Sequence, residues 1–239
     1  MDYRKHELYQ QYEALWQAAL PRVRQGDIDV DQRLARKERD QRRGLTVIAR
    51  LAPDIVARIG ELLQALAVVE PRQYYYPQAD LHLTVLSLFT ATEQYQSHLD
   101  RLDDYRDAVA SALRSTPSFA VDMVGITVAP GAVLLQGFPT DGTLNKARDR
   151  LREALIGRGL DTSLDQRYRL VTAHSTLVRF AAPLAAPEQF ADALTAYRYT
   201  SFGRSVIASL DLVLNDWYMS SDTLTQIAAF QLQEQHTHA

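Results

Sequence analysis

The sequence predicts an α+β fold made from a duplicated unit, with antiparallel sheets in two similar lobes and helices outside them. Three observations predict it. Strand-like and helix-like stretches do not alternate strictly, and several neighbouring strands are joined by connections too short for a parallel crossover. A histidine and a threonine stand two apart inside an apolar, strand-like run at His82-Leu83-Thr84, and again at His174-Ser175-Thr176. Each copy lies beside a helical stretch, and strand hairpins remain to complete two sheets.

The elements follow in order. Asp2 to Leu20 reads as a helix, with Tyr9, Tyr12 and Trp16 at helical spacing, and Pro21 is expected to interrupt it. Arg33 to Arg43 is dense in charge. It reads as a solvated face or linker, with a positive rim for a phosphate-bearing substrate as the alternative. Residues 1–42 are therefore expected to be an N-terminal helical extension and 43–239 a bilobal domain. Leu45 to Leu51, with β-branched Thr46, Val47 and Ile48, is the first core strand. Pro53 opens a helix whose buried stripe is Ile55, Ile59, Leu62, Leu63 and Leu66. Gln73 to Tyr76 is a short aromatic strand. Leu81 to Phe89 is the first His-Thr strand, with Leu81, Leu83 and Val85 turned away from His82 and Thr84 into the core.

Residues 98–114 read as one helix, and Phe119 to Val128 forms a hairpin with Ala132 to Phe138 across Pro130-Gly131. Thr143 is expected to cap a helix running to Ile156, with Leu144, Ala147, Leu151, Leu155 and Ile156 inward and Gly157 and Gly159 stopping it. Asp161 to Arg169 is a polar loop, and Leu170 to Phe180 is the second His-Thr strand. A helix follows near Glu188 to Ala196. Tyr197 to Gly203 is irregular, and Val206 to Leu214 reads as one strand. Asn215-Asp216 turns the chain before Trp217-Tyr218-Met219, and Ile227 to Leu232 is the last strand.

Bulk properties narrow the function. The chain has 239 residues, 46% hydrophobic and 23% charged, enough for one sizeable core of ordinary composition. Its net charge of -3 argues against broad binding to a DNA duplex, which needs many phosphate contacts. There is no cysteine, which removes disulfides and thiolate metal sites and fits a cytoplasmic location. Neither a signal peptide nor a membrane-spanning run is expected, and a monomer is.

Side chains two apart on a strand share a face, so each triplet presents an imidazole beside a hydroxyl. Two such pairs facing one another would set two proton-transfer groups and two hydrogen-bond donors around one small anion. Histidine fills either proton role because its ordinary pKa is near 6.5. His82 and His174 are the candidate acid and base, and Thr84 and Thr176 the candidate holders of phosphoryl oxygens. Arg179 is five residues after His174, and strict alternation turns it to the opposite face, so it serves only if the strand bulges or ends there. Tyr74 and Tyr76, Phe138, Trp217 and Tyr218 are candidates to stack on a base, and Arg43 to reach a phosphate. Metal ligation by the two histidines is the rival reading, but no third ligand stands at close spacing. There is no phosphate-loop pattern to support ATP-dependent ligation.

The chain resembles the 2H phosphoesterase superfamily, which includes 2'-5' RNA ligase-like proteins and cyclic phosphodiesterases. His82-Leu83-Thr84-Val85 and His174-Ser175-Thr176-Leu177 match its two motifs, and Val178-Arg179 extends the second. The resemblance covers about residues 44–232. It implies a two-lobed, pseudo-symmetric fold with a central cleft. It also implies chemistry without metal or other cofactor, in which the histidines exchange protons and the threonines anchor phosphate. The implied partner is a small nucleotide or an RNA end. A noncatalytic protein holding such a ligand in the same cleft is the alternative. The run Leu86-Ser87-Leu88-Phe89-Thr90 lacks the glycine common in the ligase-like branch, and the motifs do not choose the substrate.

Overall fold

The structure is a computed structural model that describes residues 3–161, 164 and 170–234. In chain order its elements are α1 (Tyr3–Arg24), β1 (Arg43–Arg50), α2 (Pro53–Val69), β2 (Tyr74–Tyr75), β3 (His82–Thr92), α3 (Gln96–Leu99), α4 (Leu102–Leu113), β4 (Phe119–Ala129), β5 (Ala132–Pro139), α5 (Thr143–Ile156), β6 (Ala173–Arg179), α6 (Pro187–Ala196), β7 (Ser201–Ile207), β8 (Ser209–Asn215) and β9 (Thr225–Gln231). The strands form two antiparallel sheets, ordered β3-β1-β8-β9 and β2-β6-β5-β4-β7.

The two orders are the same pattern. Each sheet contains a strand, a helix and a motif strand that returns antiparallel beside the first: β1-α2-β3 in one, β5-α5-β6 in the other. The motif strand is the edge of the first sheet. In the second it is lengthened sideways only by the two residues of β2. The duplicated α+β unit is therefore present, and the two motif strands lie against each other.

The lobes interlock. The helix α2 packs against β7 of the second sheet, where the Ala52 N–H donates to Ser205 Oγ and Arg58 donates to the Phe202 carbonyl. In return α5 packs against β3 of the first sheet. One continuous hydrophobic cluster runs through both sheets, from Leu45 and Leu83 to Leu135 and Leu177.

Several local expectations change. The helix α1 continues through Pro21 to Arg24, because the proline falls in its last turn and the residues around it, Ala19 and Val23, are buried against the body. The expected helix over 98–114 is two, α3 and α4, broken at Asp100-Arg101. Thr143 does not cap α5. Its N–H is itself capped by the Asp141 carboxylate, two residues earlier. Ile156 is 58% exposed, while Arg148 and Arg152 occupy the inner face of that helix. The stretch 206–214 is two strands: the chain leaves the second sheet after Ile207 and enters the first at Ser209. Apolar residues alternate in the sequence from Val206 to Leu214, but the buried set shifts from Ser205 and Ile207 to Leu210 and Leu212 as the chain changes sheet. The charge-dense stretch is a 3₁₀ segment, Gln32–Arg39, with no buried residue. The polar loop expected at 161–169 and the tail from 235 fall largely outside the described residues.

Candidate active site

His82, Thr84, His174 and Thr176 line one cavity of about 210 Å³ between the sheets. Both motif strands carry the same irregularity. Ile48 pairs with Thr84 but Val47 with Leu86, so Val85 is an extra residue in β3. Leu134 pairs with Thr176 but Val133 with Val178, so Leu177 is an extra residue in β6. Each is a β-bulge placed directly after the motif threonine, and a bulge re-aims the side chains that follow it. The residue three after each threonine returns to the cavity face. In β6 that residue is Arg179, and in β3 it is Ser87. Strict alternation put Arg179 on the far face. The bulge at Leu177 reverses that, and Arg179 donates from Nε to Tyr76 Oη at 3.0 Å.

The hydrogen bonds of the imidazoles differ. His82 Nδ1 lies 2.7 Å from the Asp80 carbonyl oxygen, which can only accept. This fixes the proton on Nδ1 and leaves Nε2 with a lone pair. His174 Nδ1 lies 2.9 Å from Thr172 Oγ1, a hydroxyl that can donate to it. Burial lowers the His82 pKa to about 4, against the opposing Asp80 carbonyl and with help from Arg50 and Arg179. His174 is also lowered to about 4, first by burial and then by Arg148, His82 and Arg179. Both rings are therefore neutral at pH 7 in the free protein.

A buried arginine joins the two motif strands. From α5, Arg148 donates to the carbonyls of Thr84 and Val85 on β3, and to those of Val171 and Thr172 just before β6. Nothing in the local pattern of the helix singles it out. A second support is the loop after β8. The Asp216 carboxylate accepts from the N–H groups of Tyr218 and Ser220 and from the Ser220 and Thr223 hydroxyls. That loop presents Trp217 and Met219 to the cavity, with Met219 at φ 58° in the left-handed region. Thr46, Thr90 and Asn215 line the cavity near Ser87, and none of them was anticipated from sequence.

The remaining candidates are placed as follows. Tyr76 lines the cavity. Tyr74 stands behind it, edge-on at 5.2 Å, and accepts a hydrogen bond from Lys37. Phe138 packs edge-on against Tyr12. Arg43 turns back to the carbonyls of Asp40 and Arg42 and does not line the cavity; its neighbour Arg42 lies 4.3 Å from the Trp217 ring centre. Among the described residues, no three metal-ligating side chains come together.

The profile of the 2'-5' RNA ligase superfamily matches residues 51–216. The chain belongs to this superfamily. Solved structures share its fold. TT0787 of Thermus thermophilus is 20% identical, with a TM-score of 0.59, over 81% of this chain and all of its own. LigT of E. coli, solved with 3'-AMP, is 17% identical, with a TM-score of 0.53, over 80% of this chain and 98% of its own. A structure described as a phosphoesterase is 15% identical, with a TM-score of 0.52, over 80% of this chain and 99% of its own. No curated protein matches the chain. Among the described residues, no helix is long and apolar enough to cross a membrane.

Proposed function

We propose that the chain is a phosphoesterase that hydrolyses a 2',3'-cyclic phosphate or a related phosphodiester at a nucleotide or RNA end. The observation that carries this reading is the pair of His-Thr motifs lining one cavity from two matching strands. His82 is the base: its Nε2 lone pair takes a proton from water as the water oxygen bonds to phosphorus. His174 is the acid: as the cation it donates from Nδ1 to the Thr172 hydroxyl oxygen, and its Nε2 proton passes to the ribose oxygen as the P–O bond breaks, leaving a neutral ring. Thr84 and Thr176 donate to the nonbridging oxygens, and Arg179 balances their charge. Since both rings are neutral in the free protein, the substrate's negative charge draws in the proton that the acid needs to be cationic. The two imidazoles supply both proton transfers, so no metal enters the scheme.

The test is turnover of 2',3'-cyclic nucleotides, ADP-ribose 1'',2''-cyclic phosphate and 2'-5' linked dinucleotides with EDTA present. Hydrolysis of one class, reduced about 10²–10⁴-fold in His82→Ala and in His174→Ala, supports the acid-base pair. Absence of turnover with retained, threonine-dependent binding of a phosphate ligand replaces it with the noncatalytic reading.

A further inference from the structure

The cavity that holds the motif residues is one arm of a larger cleft. A second arm of about 450 Å³ shares His174, Thr176, Arg179 and Trp217 with the first and runs away from them along the second sheet. Its outer wall is the N-terminal helix. Tyr12 and Leu15 of α1 face Ala129, Ala132 and Leu134 of the sheet, and Val171 closes one side. The helix is built in firmly. The Tyr12 hydroxyl donates to the Gly137 carbonyl and accepts from the N–H of Ala173, the residue before His174. The Tyr12 carbonyl accepts from Thr127, and Arg198 joins Glu13 to the Ile126 carbonyl. The superfamily match begins at residue 51, so α1 lies outside the matched residues.

The arms differ in chemistry. The first is edged with hydroxyl and amide side chains, Thr46, Ser87, Thr90 and Asn215. The second is apolar, and the charged side chain among its described residues is Arg179, at the mouth it shares with the first. Val171, an apolar side chain that is 43% exposed, faces this space. Among the described residues, no charged side chain deeper in this arm would pair with a second phosphate. A flat apolar group attached to the phosphate held at the mouth would bury its faces against Leu15 and Leu134.

We propose that the second arm takes a second nucleobase, so that α1 makes this chain selective for dinucleotide and longer ends over single nucleotides. This rests on the phosphate-centred reading above and adds the part of the substrate that α1 contacts. The test is calorimetric binding of adenosine 3'-monophosphate and of the dinucleotide adenylyl-(3',5')-adenosine 3'-phosphate to the full chain. The dinucleotide is expected to bind at least about ten-fold more tightly, the worth of one well-seated base. Leu15→Trp fills the arm from the helix side and Ala132→Phe from the sheet side, and in each the ratio of the two affinities falls toward one. Thermal melting shows which variants are folded, and the second filling serves if the first is not. Equal affinities in the unaltered chain, or a ratio that survives both fillings, overturns the proposal. Binding is read apart from turnover: a preserved preference without hydrolysis of any substrate sinks the catalytic reading and leaves this one standing.

Discussion

His82 is the residue at which structure and chemistry meet most directly. Its ordinary pKa near 6.5 falls to about 4 in the folded chain because the ring is buried. The unfolded chain therefore binds a proton between those two values that the folded chain does not. Stability is complete above pH 6.5 and is lost as pH falls toward 4, by on the order of 3 kcal/mol from His82. Urea titrations at pH 7 and pH 4.5 should show the drop, and His82→Gln should lessen it; an unchanged difference in that variant would refute the assignment. Arg179 carries a second prediction. Its guanidinium bonds Tyr76 and lines the cavity of the two His-Thr pairs. Arg179→Lys keeps the charge but loses the planar fork, so affinity for a phosphate ligand should fall about ten-fold with little change in melting temperature. Tyr76→Phe, which removes only the acceptor of that bond, should give a smaller loss in the same direction.

At the scale of elements, the sequence marked where most strands and helices lie, because their apolar periods are local. The sheet to which each strand belongs was not local. The stretch 206–214 shows one alternating pattern, yet Val206 pairs with Ala120 in the second sheet and Leu210 with Phe230 in the first. The helix α1 was readable as a helix from Tyr9, Tyr12 and Trp16, but its docking depends on groups more than a hundred residues away. Tyr12 shows this: its hydroxyl bridges Gly137 and Ala173, and burial pushes its pKa well above the ordinary tyrosine value. Tyr12→Phe leaves a buried carbonyl and N–H without that partner, at a cost of about 1–3 kcal/mol. Chemical denaturation measures the loss. Because the Ala173 N–H adjoins His174, backbone amide exchange at residues 173–176 should also quicken, whereas a variant on the exposed face of α1 should leave it unchanged.

At the scale of the molecule, Arg148 ties the two lobes through the backbone of both motif strands. Arg148→Ala would strand several buried carbonyls together, and a loss of roughly 3–5 kcal/mol is expected. Arg148→Lys cannot reproduce the fork and should recover only part of it. Under conditions where both variants remain folded, turnover should fall through kcat more than through KM, since the spacing of the two His-Thr pairs changes while each pair stays intact. Equal effects on both constants would mean that Arg148 stabilises the fold without setting the site. The packing of each lobe's helix on the other's sheet and the hydrophobic cluster shared by both sheets make one further expectation: thermal unfolding is one cooperative transition, and two resolved transitions in calorimetry would contradict it.

The sequence by itself determined the two His-Thr pairs, the antiparallel α+β character and the β4-β5 hairpin. Each of these depends on residues a few positions apart, where side-chain spacing and turn chemistry act directly. The tertiary structure decided the rest. The bulges after Thr84 and Thr176 are mismatches between paired strands, visible only once Ile48 and Leu134 have found their partners. They, and not the strand pattern, turn Arg179 and Ser87 into the cleft. Arg148 reaches carbonyls 63 and 64 residues away, and α1 forms a wall only because the second sheet offers it a face. Such contacts leave no periodic mark on the chain, since the free energy that selects them arises when distant segments bury polar and apolar groups against one another.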